Sequence, residues 1–80
     1  MAKKGRRGAS SFDQHVALRM RAKREELGLT QTALADAVGV TFQQVQKYEN
    51  GKNRISAGRL WQFAKLFKVP IDYFFQGLPS

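Results

Sequence analysis

The chain has 80 residues and no cysteine, so it can fold as one small domain but cannot form a disulfide, a thiolate metal site or a second lobe around a substrate pocket. Lys and Arg number 14 against 6 Asp and Glu, and the net charge of +8 indicates a polyanionic partner such as nucleic acid or an acidic membrane surface. No apolar run approaches the roughly 20 residues that span a bilayer, and no apolar signal-peptide segment follows the basic N-terminus. We therefore expect a cytoplasmic protein without a membrane, cofactor or metal partner.

Residues 1–11 have the composition of a flexible basic arm. They contain two glycines and no acid, and too little apolar material to offset the entropy of ordering. The basic residues of this arm are Lys3, Lys4, Arg6 and Arg7. These side chains either provide solubility and a general positive charge, or form an arm that wraps around DNA.

The domain itself is expected over residues 12–77 and begins with a helix that runs to about Leu27. Ser11 and Gln14 have the spacing of a capping box, although Asp13 could equally cap a helix that starts slightly later. Gly28 suits the left-handed residue that closes such a helix. The stripe at helical spacing consists of Val16, Met20, Arg24 and Leu27.

Two short helices follow. Thr30 can cap the second helix, and Gly39 ends it in a tight turn. Thr41 then caps a third helix, with Gln44 at the position whose side chain reaches back to the cap. The inner face of the second helix consists of Leu34, Ala35 and Val38.

A fourth helix and a short apolar segment complete the domain. Asn50 and Gly51 end the third helix, Ser56 can cap the fourth, and Pro70 breaks it. The segment 71–75 is apolar enough for a last helical turn or two, and residues 78–80 are expected to be an unstructured end. The fourth helix keeps helical spacing at Leu60, Phe63, Ala64 and Phe67. No strand or hairpin pattern occurs, so the predicted fold class is all-α.

The second and third helices carry the pattern of a helix-turn-helix, in which two short helices are joined by a tight turn containing Gly. Their close crossing needs a small residue, which Ala35 supplies, and the turn needs a residue that tolerates positive φ, which Gly39 supplies. Val45 provides the apolar anchor of the third helix. These requirements are met at mutually consistent spacing.

The outward face of the third helix is the candidate reading surface. With about 100° per residue and Val45 inward, Gln43 and Lys47 point away from the core. Gln can bond bidentately to adenine and Lys can donate to guanine, whereas Phe42 and Thr41 could contact thymine methyls. Such a face is otherwise a solvated helix surface, and Phe42 could instead lean on the second helix. Together with the flanking Gln46, the predicted base contacts are Thr41, Phe42, Gln43, Gln46 and Lys47.

The sequence resembles the phage-repressor and Cro-type helix-turn-helix family, often called the Xre family. The resemblance covers roughly residues 13–77 and includes Leu27-Gly-Leu-Thr-Gln31, Leu34-Ala35, Gly39-Val40, Val45 and Tyr48-Glu49-Asn-Gly51. It implies a compact five-helix, lambda-repressor-like domain that binds operator DNA as a dimer, with the third helix in the major groove. Phe42 departs from the family pattern, which commonly has a polar residue at this position.

The resemblance also implies DNA contacts at particular positions. When the family's contacts are transferred to the matching positions of this sequence, the base contacts fall on the same outward face of the third helix. The base-contacting positions fall on Phe42, Gln43 and Lys47, and the first helix pairs Arg24 with Glu49. Free N–H groups at the start of the second helix make a phosphate site there physically reasonable. The predicted phosphate contacts are Thr30, Gln31, Gln44, Asn50, Lys52, Asn53 and Arg54.

The predicted function is a sequence-specific DNA-binding transcriptional regulator, most simply a repressor, that binds a palindromic operator as a homodimer. Apolar residues of the C-terminal part either form the dimer interface or complete the core: Trp61, Tyr73, Phe75 and Leu78. The alternatives are an antitoxin-type autoregulator with a protein partner, and a protein-interaction or coactivator module. An enzyme is not expected, because the chain has one histidine, no evident carboxylate pair and no glycine-rich nucleotide loop.

Overall fold

The computed structural model describes residues 11–78, and all regular structure in this range is helical. The basic arm lies outside the described residues except for Ser11, as do the last two residues of the expected C-terminal end. The helices are α1 (Ser11–Glu26), α2 (Gln31–Val38), α3 (Phe42–Glu49) and α4 (Ala57–Phe67), followed by a 3₁₀ helix (Ile71–Phe75). The all-α prediction is confirmed, but the expected fifth α-helix is a 3₁₀ helix.

Side-chain caps define the starts of three helices as the sequence predicts. The hydroxyl oxygens of Thr30, Thr41 and Ser56 accept hydrogen bonds from the backbone N–H groups three residues later, at 2.9–3.1 Å. Ser11 and Asp13 both lie within α1 rather than ahead of it. Within residues 11–78, no side-chain bond returns from Gln44 to Thr41, so only half of the expected capping box forms.

The core is a row of aromatic rings that joins α3 to the C-terminal segment. The Tyr48 ring meets Phe63 edge-on at a centroid distance of 5.9 Å, Phe63 stacks on Phe67 at 6.2 Å, and Phe67 lies 6.3 Å from Phe74. Aliphatic side chains fill the space around the row, with Met20, Leu34 and Val45 fully buried. The predicted stripe of α4 is therefore confirmed as core.

One expectation at a helix end is wrong. Leu27 is exposed rather than part of the α1 stripe, because α1 ends at Glu26 and helical spacing no longer applies beyond it. The end of α4 agrees with the expected break: the helix ends at Phe67, and Pro70 follows two residues after its C-cap. There Lys68 adopts the left-handed conformation (φ 61°) and its N–H donates to the carbonyls of the last turn.

Candidate nucleic-acid interface

The α2–α3 turn sets the position of α3. Gly39 has φ 78°, in the left-handed region that strains residues with a side chain, and its N–H donates to the Ala35 carbonyl at 2.9 Å. The Val40 N–H donates to the same carbonyl at 3.0 Å. Both hydrogen bonds close the turn onto the carbonyl of the buried Ala35, near the C-terminal end of α2. They therefore fix the angle between α2 and α3.

A buried ionic cluster holds the end of α3. Arg24 Nε donates to Glu49 Oε2 at 2.6 Å, and Arg24 Nη2 donates to Glu49 Oε1 at 3.1 Å. Its third nitrogen, Nη1, donates to the Leu29 carbonyl at 2.8 Å. The hydrogen bonds that Arg24 donates to the Glu49 carboxylate raise the pKa of Arg24 above its ordinary value although burial lowers it, so the guanidinium stays charged. The pair predicted from the family pattern is thus brought together in space.

Sequence reasoning missed a third member of this cluster, Gln31. Its Nε2 donates to Glu49 Oε1 at 3.0 Å, so the carboxylate joins α1, α2 and α3. A buried carboxylate has more acceptor sites than one guanidinium fills. An inward-facing Glu49 in the sequence therefore indicates that a second donor lies nearby. This bond uses one of the two N–H donors of the Gln31 amide, so the other donor and the backbone N–H remain for the phosphate contact predicted at Gln31.

The opposite face of α3 is open to solvent. Gln43, Gln46 and Lys47 are exposed, and so are Thr41 and Phe42 at the start of the helix. The only acid in the stretch 41–56 is Glu49, which is buried and paired. The predicted base-contacting residues therefore form one surface of hydrogen-bonding amides, an ammonium group and a phenyl ring, with no exposed carboxylate among them.

The predicted phosphate contacts flank this surface at two places. At the start of α2, Thr30 uses its hydroxyl as a cap, and the first N–H groups of a helix have no partner inside it. After α3, Asn50 Oδ1 accepts from the Lys52 N–H at 3.0 Å and shapes the loop, while its amide nitrogen remains a donor. Gln44 and Asn53 are half-buried, whereas Lys52 and Arg54 are exposed.

Arg54 has a partner that the sequence did not indicate. Its Nε donates to Asp13 Oδ2 of α1 at 3.2 Å, although the Arg54 side chain remains 74% exposed. This bond uses only Nε and therefore leaves the two terminal nitrogens of the guanidinium for another acceptor.

The residues predicted for a dimer interface divide into two groups. Trp61 and Phe75 are exposed, and Lys65 Nζ lies 4.5 Å from the centre of the Trp61 ring. Tyr73 and Leu78 are half-buried. The Arg19 guanidinium carbon lies 3.9 Å from the centre of the Tyr73 ring, and Arg19 Nε donates to the Tyr73 carbonyl at 3.0 Å. Tyr73 therefore anchors the C-terminal segment to α1 within the domain.

In residues 11–78, the His, Asp and Glu side chains form no group of three that could hold a metal ion. None of the helices in this part of the chain is long and apolar enough to cross a membrane.

A family model described as Helix-turn-helix, HTH_3, matches residues 20–74, which include α2, α3 and the turn between them. The chain belongs to the Cro and phage-repressor type of the helix-turn-helix family. The match leaves the basic arm and the first turns of α1 outside the family model.

Sequence relatives agree with this assignment, and a solved structure shares the fold. An uncharacterized HTH-type transcriptional regulator of Sinorhizobium fredii is 54% identical over 89% of this chain and 50% of its own length. An uncharacterized transcriptional regulator in the ATPase CF(0) region of Rhodospirillum rubrum is 58% identical over 82% of this chain and 61% of its own length. The chain thus spans roughly half to three-fifths of these relatives. The restriction-modification controller protein C.AhdI from Aeromonas hydrophila has the same fold, with a TM-score of 0.77 and 23% identity over 82% of this chain and 100% of its own.

Proposed function

We propose that this protein binds a specific double-stranded DNA sequence as a homodimer, with α3 of each copy in a major groove, and that it represses transcription in the cytoplasm. The observation that carries the proposal is the outward face of α3, where Gln43 and Lys47 stand opposite the buried Val45. An amide and an ammonium group one turn apart match the donor and acceptor pattern of base edges in the major groove. The names of the relatives, which are transcriptional regulators, point to the same role.

The two flanks of α3 supply contacts to the DNA backbone. The N-terminus of α2 offers backbone N–H groups and the positive end of the helix dipole to one phosphate. The loop after α3 offers Asn50, Lys52, Asn53 and Arg54 to a neighbouring phosphate. Such contacts set the register of α3 in the groove, while the residues on its face select the sequence.

The rigidity of α3 supports base reading rather than loose electrostatic attraction. The buried Glu49 carboxylate accepts bonds from Arg24 and Gln31, and the Tyr48 ring packs on Phe63. A reading helix must be held in a fixed position, because base-edge hydrogen bonds depend strongly on distance and angle. The cluster fixes one end of α3 and the Gly39 turn fixes the other.

A homodimer is proposed because one eight-residue helix reads only a few base pairs. Two copies whose α3 helices lie about 34–36 Å apart would read a palindromic operator over successive major grooves. Trp61 and Phe75 are exposed apolar side chains that can form the contact between copies.

The proposal is tested by selecting bound sequences from a random DNA pool and measuring the stoichiometry of the complex by sedimentation. We expect an inverted repeat with half-sites about one helical turn apart, bound by two protein chains. Uniform binding to all sequences, with a steep loss as salt rises, would contradict the proposal and favour a protein-interaction module. For the repressor role, a promoter that overlaps the selected site should give less transcript when the protein is present.

A further inference from the structure

Phe42 is a large apolar side chain at the first position of α3, and the fold does not use it as core. It is 40% exposed, whereas Tyr48, Phe63 and Phe67 of α3 and α4 are buried. The other exposed aromatic rings among residues 11–78 lie outside α3: Phe12, Trp61 and Phe75. Among residues 11–78, the ring-to-ring contacts join Tyr48, Phe63, Phe67, Tyr73 and Phe74, and Phe42 is not one of them. The capping of α3 is done by Thr41 and not by Phe42.

The neighbours of Phe42 are the residues proposed to contact bases. Gln43 follows it directly, and Gln46 lies one helical turn further on the same side; both are exposed. An α3 that enters the major groove with its N-terminal residues would therefore bring the Phe42 ring to a base edge together with these amides.

The chemistry of a phenyl ring restricts what it can recognise there. It has no hydrogen-bond donor or acceptor for the N and O atoms of the groove. The apolar group that a base presents in the major groove is the C5-methyl group of thymine, and 5-methylcytosine carries a methyl group on the same ring carbon. If the ring covered any other base edge, the polar atoms of that edge would lose their hydrogen bonds to water. The ring could not replace those bonds.

We infer that Phe42 recognises a 5-methylpyrimidine in each half-site, so that DNA binding depends on the methyl group itself. The inference rests on the proposed function and adds to it a chemical class of base at one position. It also implies that methylation of cytosine at this position would strengthen binding relative to unmodified cytosine.

The test removes the methyl group and nothing else. In the selected operator, each thymine of the half-sites is replaced in turn by uracil, which keeps base pairing and the O4 acceptor. We expect symmetric replacement at one position to weaken wild-type binding about fourfold per half-site, the change that corresponds to losing a buried methyl-sized group. Phe42→Ala should bind the thymine and uracil operators equally, while Gln46→Ala should keep the wild-type ratio.

A second arm distinguishes the two sources of the methyl group. At the position found with uracil, the base pair is changed to cytosine–guanine, with cytosine either unmodified or methylated at C5. We expect the wild-type protein, but not Phe42→Ala, to bind the methylated form about fourfold more tightly. Far-UV circular dichroism of Phe42→Ala should match that of the wild type, because the ring lies outside the core.

The outcomes separate this inference from the proposed function. An enriched operator that tolerates uracil at every position would overturn the inference and leave the proposed function standing. A methyl effect of equal size in the wild type and Phe42→Ala would also overturn it, because another residue, such as Thr41, would then make the contact. Absence of any enriched operator would contradict the proposed function itself.

Discussion

Arg24 Nε and Glu49 Oε2 lie 2.6 Å apart in the interior of the domain, and this contact joins α1 to the last residue of α3. The Glu49 side chain is only 3% exposed. An unpaired charge at such a position would be costly, because solvent cannot replace the lost partner. The pair is therefore expected to contribute to both the stability of the domain and the placement of α3.

Replacing Glu49 with glutamine should destabilise the domain by about 3 kcal/mol. The buried Arg24 guanidinium then keeps only the exposed carboxylate of Glu25, 3.8 Å away, as a counter-charge. Glu26→Gln is the matched control, since the exposed Glu26 carboxylate pairs with the half-buried Lys23 at 3.1 Å. It should change the free energy of unfolding by about 0.5 kcal/mol or less. Urea unfolding followed by circular dichroism measures both; equal midpoints for the two variants would show that the buried pair adds no stability.

The same glycine-to-alanine substitution should have opposite effects at Gly39 and Gly58. At both positions an added Cβ would meet nothing within 4 Å, so sterics with neighbours play no part. Gly39 has φ 78°, and Gly39→Ala should cost about 1–2 kcal/mol. Gly58 lies in α4 without positive φ, and Gly58→Ala should stabilise by about 0.5–1 kcal/mol. Thermal unfolding gives the signs, and a stabilising Gly39→Ala would contradict the role given to the turn.

Removal of a phosphate contact should lower the salt dependence of DNA binding. Lys52→Ala and Arg54→Ala should each reduce the slope of log K against log salt by about 0.9, and weaken binding to all sequences alike. Arg21→Ala removes the same charge from the exposed face of α1, where Arg21 pairs with Glu25 at 3.2 Å, and should leave the slope close to that of the wild type. Titrations at several salt concentrations make this comparison. If all three variants gave the same slope, these residues would act only through net charge.

Self-association should depend on Trp61. Trp61→Glu places a charge on a side chain that is 55% exposed, and it should weaken the dimer about tenfold or more if Trp61 becomes buried between copies. Leu18→Glu on α1, where the leucine is 64% exposed and outside the proposed interface, is the control and should not alter the dimer. Analytical ultracentrifugation without DNA reads out both variants. A dimer equally strong in Trp61→Glu would place the interface elsewhere.

Local sequence patterns were enough to predict the helices and most of the core. The caps Thr30, Thr41 and Ser56 act through bonds to residues three positions away, and helical spacing identifies the buried face of α4. The predictions fail where local spacing ends, as at Leu27, which lies beyond α1. The expected last helix is a 3₁₀ helix, in which the Tyr73 N–H donates to the Pro70 carbonyl. Five residues after a proline allow little more than one tight turn.

Side-chain pairs distant in sequence were harder to predict. Asp13 and Arg54 are 41 positions apart, and nothing in the local pattern of either residue indicates their contact. The bond from Gln31 to Glu49 likewise depends on how α2 and α3 cross. Helical geometry alone places Glu49 inward, where it needs an ion-pair partner, but Arg24 was accessible as that partner only because the family pattern supplied it. The outward face of α3, in contrast, follows from helical geometry once Val45 is placed inward.

The most direct test of the account is the ratio of affinities for the selected operator and for a scrambled sequence of the same length, measured for four proteins at one salt concentration. Gln43→Ala and Lys47→Ala should each lower this ratio about tenfold relative to the wild type, because each removes a side chain proposed to contact a base. Gln14→Ala, which removes an exposed amide from α1, should preserve the ratio. An unchanged ratio in both α3 variants would contradict the account, because α3 would then not read the DNA sequence through these residues.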